Sequence, residues 1–554
     1  MARAVDIHPV IAGVMRSRGI ESVEAARQFL HPELAALHDP FGLPDMDVAA
    51  KRLVAAVQGK ETVVVHGDYD VDGVTASALL VRFLSKLGAN CQYFIPHRQI
   101  DHYGLSVDAV RQAAQQGATL AIATDCGVTA LEPIAEARRL GLDVVVIDHH
   151  EPGPILPEAN AVVDPKREDA TYPERDLASV GLCFKVASAV CQLLDIPQQS
   201  LQRAFLDIVA LGTVADVVPL QGENRILTHH GLKLIPESRK AGLQALLRMC
   251  NLGGDIRASD IAFRIAPRMN AVGRMGDATD ALELLLTDDD AEANRMALGL
   301  ENANRARQKE QQKTYVEARQ MLRDSVDLER DPVVVLCSES WHVGVVGIVA
   351  SKIVETHARP AILMVQEGDE IRGSARSVHG FDISQALADC ADLLLSYGGH
   401  SLAAGLSLEV AQLEGFRSRL NALAGETLVQ ADLRPRMQID AELLLDEVDE
   451  ELLEGIAMLE PFGQANAAPL FATENAEVLD ARAVGRDAQH LKLFVAQGDR
   501  PVDCIGFGMG DATEWLRRGD AVDICHTPEI NEYNGTRGVQ LRMQAIRPAN
   551  GACP

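Results

Sequence analysis

Aromatic side chains are scarce in this sequence: Phe, Tyr and Trp together make up 4% of it. Any surface that stacks rings on a flat ligand must therefore be built from few positions. Paired cysteines are missing too. The ten cysteines are scattered, and no two stand in a C-x-x-C spacing. That argues against zinc ribbons and disulfide frameworks and points to a reducing cytoplasm. No apolar run reaches the ~20 residues of a membrane span, and Met1-Ala2-Arg3 does not open a signal peptide, so no membrane is expected. Positive charge is in deficit: 52 Lys and Arg face 79 Asp and Glu, a net charge of -27. This argues against a generic nucleic-acid coat protein but leaves room for a local basic groove, because a field depends on arrangement. A P-loop is also lacking. Gly59-Lys60 is followed by Glu61 and has no glycine at the upstream spacing, so direct ATP use has no support.

What is present is a normal globular composition, 47% hydrophobic and 24% charged over 554 residues, enough for three or four domains. From about residue 60 to 220, apolar strands alternate with helical segments, the βαβ pattern of a mostly parallel sheet. The strand candidates are "TVVVH", "CQYFI", "TLAIAT" and "DVVVID". Residues 288–327 hold no proline and hardly any glycine, and read as one helix of roughly 50 Å joining two domains. "PVVVLCSES" then opens a second α/β region. Beyond it, "HLKLFVAQG", "PVDCIGFGM", "AVDICHTPEI" and "GVQLRMQAI" are short strands, and Asn534-Gly535 is a hairpin-turn signal. A small β-barrel is expected there, an OB-fold being one candidate. Residues 431–460 hold many acids and two arginines, most simply a solvated surface.

"HGDYDVDG", His66 to Gly73, begins as a calcium-binding EF-hand loop begins. Such a loop needs a bidentate Glu at position 12, and counting from Asp68 that position is Leu79. The preceding residues, Glu61 to Val65, read as a buried strand, and "VTASALLVRFLSKLG" has helical spacing. The acids therefore sit where a strand gives way to a helix, the usual ligand position of an open α/β sheet.

The pattern repeats. "TLAIATDCG" ends at Asp125, "LDVVVIDHH" at Asp148-His149-His150, and "LDIVALGTVADVVPL" carries Asp216 into a turn. Each acid follows an apolar run, so each is expected at the carboxyl edge of one sheet. The period of two at 66, 68, 70 and 72 would aim those side chains to one side of an extended backbone. Crowded carboxylates raise each other's pKa values, and divalent cations remove that cost. The number of acids exceeds what one ion needs, so two are expected, as in two-metal phosphoryl displacement. Mixed Asp and His ligands suit Mn²⁺ better than Mg²⁺. Taken singly, such an aspartate is as well explained as a turn residue or helix cap, Asp72 above all, and His149-His150 as a buried pair. The whole set is poorly explained that way.

"HGDYDVDG", "TDCG", "IDHH" and "VADVVPL" resemble the four motifs of the DHH phosphoesterases. "PRMNAVGRM", "WHVGVVGIVASKI", "GSARS" and "YGGHSLAAGL" extend the resemblance over nearly the whole chain, to the RecJ-type 5′→3′ exonucleases of the DHH/DHHA1 family. The resemblance implies an N-terminal helical extension over 1–45 and a DHH catalytic domain with a mostly parallel sheet over 46–287. The connecting helix (288–327), a DHHA1 α/β domain (328–428) and an OB-like barrel (429–554) follow. It implies Asp70, Asp72, Asp125, His149 and Asp216 as ligands of two ions, Mn²⁺ or Mg²⁺, with Asp125 bridging and His150 facing the scissile phosphate. His66 and Asp68 both remain candidate ligands: smaller DHH enzymes use the histidine, RecJ-like chains a neighbouring aspartate. His150, Asp68 and Asp125 are the expected catalytic residues. Implied partners are single-stranded DNA, single-strand DNA-binding protein and a DNA helicase, in recombinational and mismatch repair, with the chain acting as a monomer.

For substrate, Ser374 and Arg376 in "GSARS" match the family's S-x-R element, and Gly398-Gly399-His400 its glycine-rich signature. A hydroxyl, an Arg fork and glycine amides make a phosphate cradle. Arg257, Arg264, Arg268 and Arg274 could form a basic strip, Arg98 could contact phosphate, and Tyr103 could stack on a base. Rival readings are a phosphodiesterase for short RNA or cyclic dinucleotides, a pyrophosphatase, and a non-catalytic replication scaffold. The barrel and long helix argue against the first two, and the intact acid set against the third.

Overall fold

The structure is a computed structural model that describes residues 1–98, 104–328, 330–428, 437–533 and 536–549. Its first sheet is parallel and five-stranded: β1 (Thr62–His66), β2 (Asn90–Phe94), β3 (Leu120–Thr124), β4 (Asp143–Ile147) and β5 (Ala161–Val163) stand in the order β2-β1-β3-β4-β5. Val63, Val65, Ile122, Val145 and Ile147 are completely buried, as the central strands of a sheet covered on both faces must be. The chain steps outward in opposite directions from β1 and from β3. Their carboxyl ends therefore frame the crevice where such sheets bind ligands.

Helix α1 (Val71–Leu87) leaves that crevice; Asp70 caps its start and Gly88, at φ +104°, ends it. After β5 come α2 (Ser179–Leu193) and α3 (Gln198–Ala215). Here the structure departs from the expectation that every acid follows a strand. "LDIVALGTVA" is helical, and Asp216 sits at the C-terminal end of α3. The run is apolar on nearly every side because α3 is packed between α1, α2 and the helix Gly222–Leu234, and an all-round apolar helix has no periodicity to distinguish it from a buried strand.

Helix α4 (Ala266–Met275) precedes the long connector α5 (Asp290–Ser325), 36 residues and about 54 Å of helix. The second α/β unit carries α6 (Val343–His357) and a sheet ordered β6-β7-β8-β10-β9. Its strands are β6 (Val334–Ser338), β7 (Ala361–Glu367), β8 (Glu370–Arg376), β9 (Ser396–His400) and β10 (Ala403–Glu409). The last unit begins with β11 (Ala441–Glu442). Its barrel is made of β12 (Phe471–Val484), β13 (His490–Gln497), β14 (Arg500–Gly506), β15 (Ala521–Tyr533) and β16 (Thr536–Pro548). β14 pairs parallel with β16, and β12 pairs with both β13 and β15, which closes five strands into an OB-type barrel. Tyr533 pairs with Thr536 across the β15–β16 turn; Asn534-Gly535 itself lies outside the described residues. Among the described residues no helix is long and apolar enough to cross a membrane.

The N-terminal helices do not stand apart. Ile7, Ile11, Val14, Met15 and Leu30 share one core with Leu443, Leu452 and Phe471 of the barrel unit. Arg225, 2% exposed, joins this assembly to the first domain. It donates to the carbonyls of Phe29 (3.0 Å), Leu459 (3.0 Å) and Glu460 (2.8 Å), and its guanidinium lies 3.8 Å from the Phe29 ring centroid. Burial pushes its pKa down to about 10. Removing the guanidinium would orphan those carbonyls, at about 1–3 kcal/mol for each buried group. Arg225→Met should therefore cost at least about 3 kcal/mol, and calorimetry should show the barrel unfolding before the first domain. An unchanged single transition would remove Arg225 as the joint.

Candidate active site

The turn after β1 explains why "DYDVDG" is spaced as it is. Asp70 Oδ1 accepts from the amides of Asp72 (2.9 Å) and Gly73 (3.1 Å), so it is Asp70, not Asp72, that caps α1. Asp72 reaches across the crevice and accepts from the amides of Ser179 (2.7 Å) and Val180 (2.9 Å), the first turn of α2. Positive helix-end dipoles thus face both carboxylates. A Cβ at Gly73 would lie 2.5 Å from the Asp68 amide nitrogen, so only glycine lets the helix close against the acid loop. The backbone bends here, so the period-two expectation fails for His66: its Nε2 sits 3.2 Å from the Gly104 carbonyl oxygen, and its ring stacks on Phe94.

Asp125, in the left-handed region at φ +61°, follows β3 and accepts from Ser179 Oγ at 2.9 Å. His149 Nε2 lies 3.3 Å from Asp125 Oδ1 and 3.7 Å from Asp216 Oδ2. Val217, next to Asp216, also has positive φ, +63°, a strained state for a β-branched residue of the kind that gathers at functional sites. Among the described residues three groups of potential ligand atoms each fall within 4.8 Å: Asp68-Asp70-Asp125, Asp72-His149-Asp216, and Asp125-His149-His150. The first two share no residue, while Asp125 and His149 link them through the third. This is the layout of two adjacent cation positions.

The charges agree. Burial, and then the Asp70 charge, raises Asp72 to about 7. Burial, followed by Asp72 and Asp70, raises Asp216 to about 9. The same causes hold Asp68 and Asp125 well above the carboxylate range. Asp68 Oδ1 is buried with no hydrogen-bond partner among the described residues. Burial lowers His149 to about 3, which leaves its ring neutral and able to ligate. The donor set therefore fits divalent cations. Behind it, buried Asp148 accepts from His150 Nδ1 at 2.7 Å and from the amides of Val128, His149 and His150. Burial opposes charge on His150, but the bond to Asp148 outweighs it and raises the His150 pKa.

Beside the acids, arginines converge from four segments: Arg98 after β2, Arg274 on α4, Arg307 on α5 and Arg376 on β8. Burial first, then the neighbouring charges of Arg98, Arg307 and Arg376, pushes Arg274 down to about 10. Arg98 lies over the Tyr69 ring at 5.0 Å, and Arg376 donates to Ser374 Oγ (2.8 Å) and the Ala375 carbonyl. Arg307 is braced by Asn304 (2.9 Å) and Gln311 (2.8 Å). None of the four has a carboxylate within 4.0 Å among the described residues. Four unneutralised guanidinium groups beside five carboxylates suit a phosphate-bearing ligand.

Residues 62–213 match the DHH family, N-terminal domain, residues 330–426 the DHHA1 domain, and residues 439–545 the RecJ OB domain. The single-stranded-DNA-specific exonuclease RecJ of Bacillus subtilis (strain 168) is 37% identical over 549 residues, covering 98% of this chain and 68% of its own. The chain belongs to the RecJ family. Among RecJ structures, a Mn²⁺ complex from Thermus thermophilus superposes with TM-score 0.85 at 32% identity, covering 99% of this chain and 77% of that one. The Mg²⁺ complex from the same organism gives TM-score 0.78 at 30% identity, covering 99% and 76%.

Of the site residues expected from the sequence, Asp68, Asp70, Asp72, Asp125, His149, His150 and Asp216 come together. So do Arg98, Arg274, Ser374 and Arg376. His66 stands outside the three ligand groups. Arg268 is turned away, paired to Glu301 at 2.7 Å and to the Arg264 carbonyl. Gly398, Gly399 and His400 lie on the exposed edge strand β9; Gly399, at φ +146°, has room for no Cβ, which would fall 2.4 Å from the Ala403 carbonyl oxygen. Tyr103 lies outside the described residues. Sequence reading missed the roles of Asp148, Ser179 and Arg307. Asp148 stood in the quoted run, but Ser179 and Arg307 carry no local signal.

The raised carboxylates make stability depend on pH in a definite direction. With folded pKa values above those of the unfolded chain, the native state holds more protons, so metal-free stability falls as pH rises from roughly 4 towards the Asp216 value of about 9. Thermal unfolding in chelator at pH 5, 7 and 9 should show that fall. Saturating Mn²⁺ should reverse it, adding about 2.7 kcal/mol at a hundred times Kd, and Asp125→Ala should lose that Mn²⁺ gain. A metal-free protein that gains stability with pH would contradict the electrostatics.

Proposed function

We propose that the chain hydrolyses single-stranded DNA from its 5′ end, releasing 5′-mononucleotides, with two divalent cations, Mn²⁺ or Mg²⁺, as cofactors. The observation that carries this reading is the linked pair of ligand groups beside the four-arginine cluster. Asp68, Asp70 and Asp125 would hold one cation, and Asp72, His149 and Asp216 the other. Such a pair activates water and stabilises both oxygens of an in-line displacement. The RecJ structures in complex with Mn²⁺ and with Mg²⁺ support this choice of ions.

The chain's own groups do the rest. Arg274, Arg307 and Arg376, with Ser374, hold the 5′-terminal phosphate, and Arg98 braces it from the first domain. That grip sets the first linkage over the acids and so gives the direction of digestion. His150, whose pKa the bond to Asp148 raises, is the candidate proton donor beside the reacting phosphate. The barrel holds the strand downstream, with stacking and phosphate contacts that tolerate any sequence. The family resemblance supports a cytoplasmic setting in recombinational and mismatch repair, with single-strand DNA-binding protein and a helicase as partners.

The direct test offers labelled single-stranded DNA, duplex DNA, a cyclic dinucleotide and pyrophosphate in Mn²⁺. Mononucleotides should appear from the single strand alone, and equal cleavage of a cyclic dinucleotide would overturn the reading. Direction is tested separately. A charge-assisted bond is worth about 1.5–3 kcal/mol, so Arg376→Ala and Arg307→Ala should each raise KM about 10- to 100-fold for 5′-phosphorylated strands. Strands ending in a hydroxyl should be affected much less; equal loss on both would dismiss the terminal-phosphate cradle.

A further inference from the structure

Phe263 is 79% exposed, the most exposed of the large apolar side chains among the described residues. A single exposed apolar residue is ordinary. This one is not, for three reasons. Aromatic residues are few in this chain. Phe263 also stands in a π-helical turn, Ile261–Ile265, set into an otherwise α-helical segment. Such turns recur at functional positions. Its cause is local: in an α-helix the Phe263 carbonyl would accept from residue 267, which is Pro267 and has no N–H. Finally, the turn is anchored on both sides. Ile261 and Ile265 are fully buried, and Arg264 is held by Asp260 at 3.1 Å and by the Cys250 carbonyl. A rigid backbone therefore presents one ring to solvent.

The position of that ring suggests its use. The same segment begins at Arg257, 3.9 Å from Glu460 in the barrel unit, and ends at Arg274 in the arginine cluster. Phe263 lies between them, eleven residues before Arg274, about 16 Å along the helix. We propose that Phe263 is a base-stacking platform for single-stranded DNA between the 5′-phosphate cradle and the barrel. At the ~3.4 Å rise of a stacked strand, the base it meets is roughly the fourth or fifth from the 5′ end. The ring's π-face is sequence-blind, as a processive grip requires. The inference rests on the proposed 5′-end polarity.

The test uses the full-length protein in chelator, so that binding is measured without hydrolysis. Single strands carry 2-aminopurine at successive positions from a 5′-phosphate. In the wild type the fluorescence should change most near position four or five. Phe263→Ala should abolish that change and weaken a 12-mer about tenfold, the loss of one stacked base. A trinucleotide should be weakened less than twofold. Phe263→Trp should restore both signals, and Phe263→Leu the affinity only in part. Equal affinity of Phe263→Ala and wild type for the 12-mer would overturn the platform, as would equal weakening of both lengths. A wild type that binds with the expected signal but releases no mononucleotides in Mn²⁺ would overturn the proposed function and leave the platform standing.

Discussion

Five carboxylates crowd the crevice between β1 and β3, and their mutual repulsion is the constraint that the rest of the structure answers. Alone they would favour opening the crevice, because each pays for burial and for its neighbours. Two local devices oppose this. Asp70 caps α1 and Asp72 caps α2, so helix-end amides neutralise part of the charge and fix both side chains. Asp125 and Val217 hold left-handed backbone at the rim, conformations that persist only where the surroundings over-determine them. The site is thus preorganised by the same contacts that tie α1 and α2 to the sheet.

Charge balance also explains the arrangement around the crevice. The chain is strongly acidic overall, yet four guanidinium groups stand beside the acids with no carboxylate partner among the described residues. They come from the turn after β2, from α4, from α5 and from β8, so only the closed assembly of both α/β units creates the cluster. Burial weakens three of these guanidinium groups as cations, and a bound phosphate would relieve the strain. Acids and arginines are then two halves of one site: the donor set of the first half fits cations, and the charge of the second suits an anion such as a phosphate.

Much of this was legible in the sequence. The β-branched runs followed by acids announced a parallel sheet with a ligand edge, because apolar burial on both faces leaves a local signature. The lack of proline and glycine announced α5, and the hydrophobic alternation of the last 120 or so residues announced the barrel. The acids that gather in the crevice could be named because they sit in short motifs at element ends. Local chemistry decided all of these features, so residues adjacent in sequence sufficed to reveal them.

Only the tertiary structure decided the rest. "LDIVALGTVA" became a helix because other helices enclose it on every side, a fact that its composition does not carry. Asp72 was a plausible cap for its own helix, and it caps another more than 100 positions away. Arg268 and Arg274 look alike in one arginine-rich stretch; Glu301 claims the first, and the second joins Arg98, Arg307 and Arg376. Arg307 is one charge among many along α5 until packing sets it beside Arg274. Pairing across long separations depends on which surfaces meet, and that is settled by the packing of whole elements rather than by any stretch of chain.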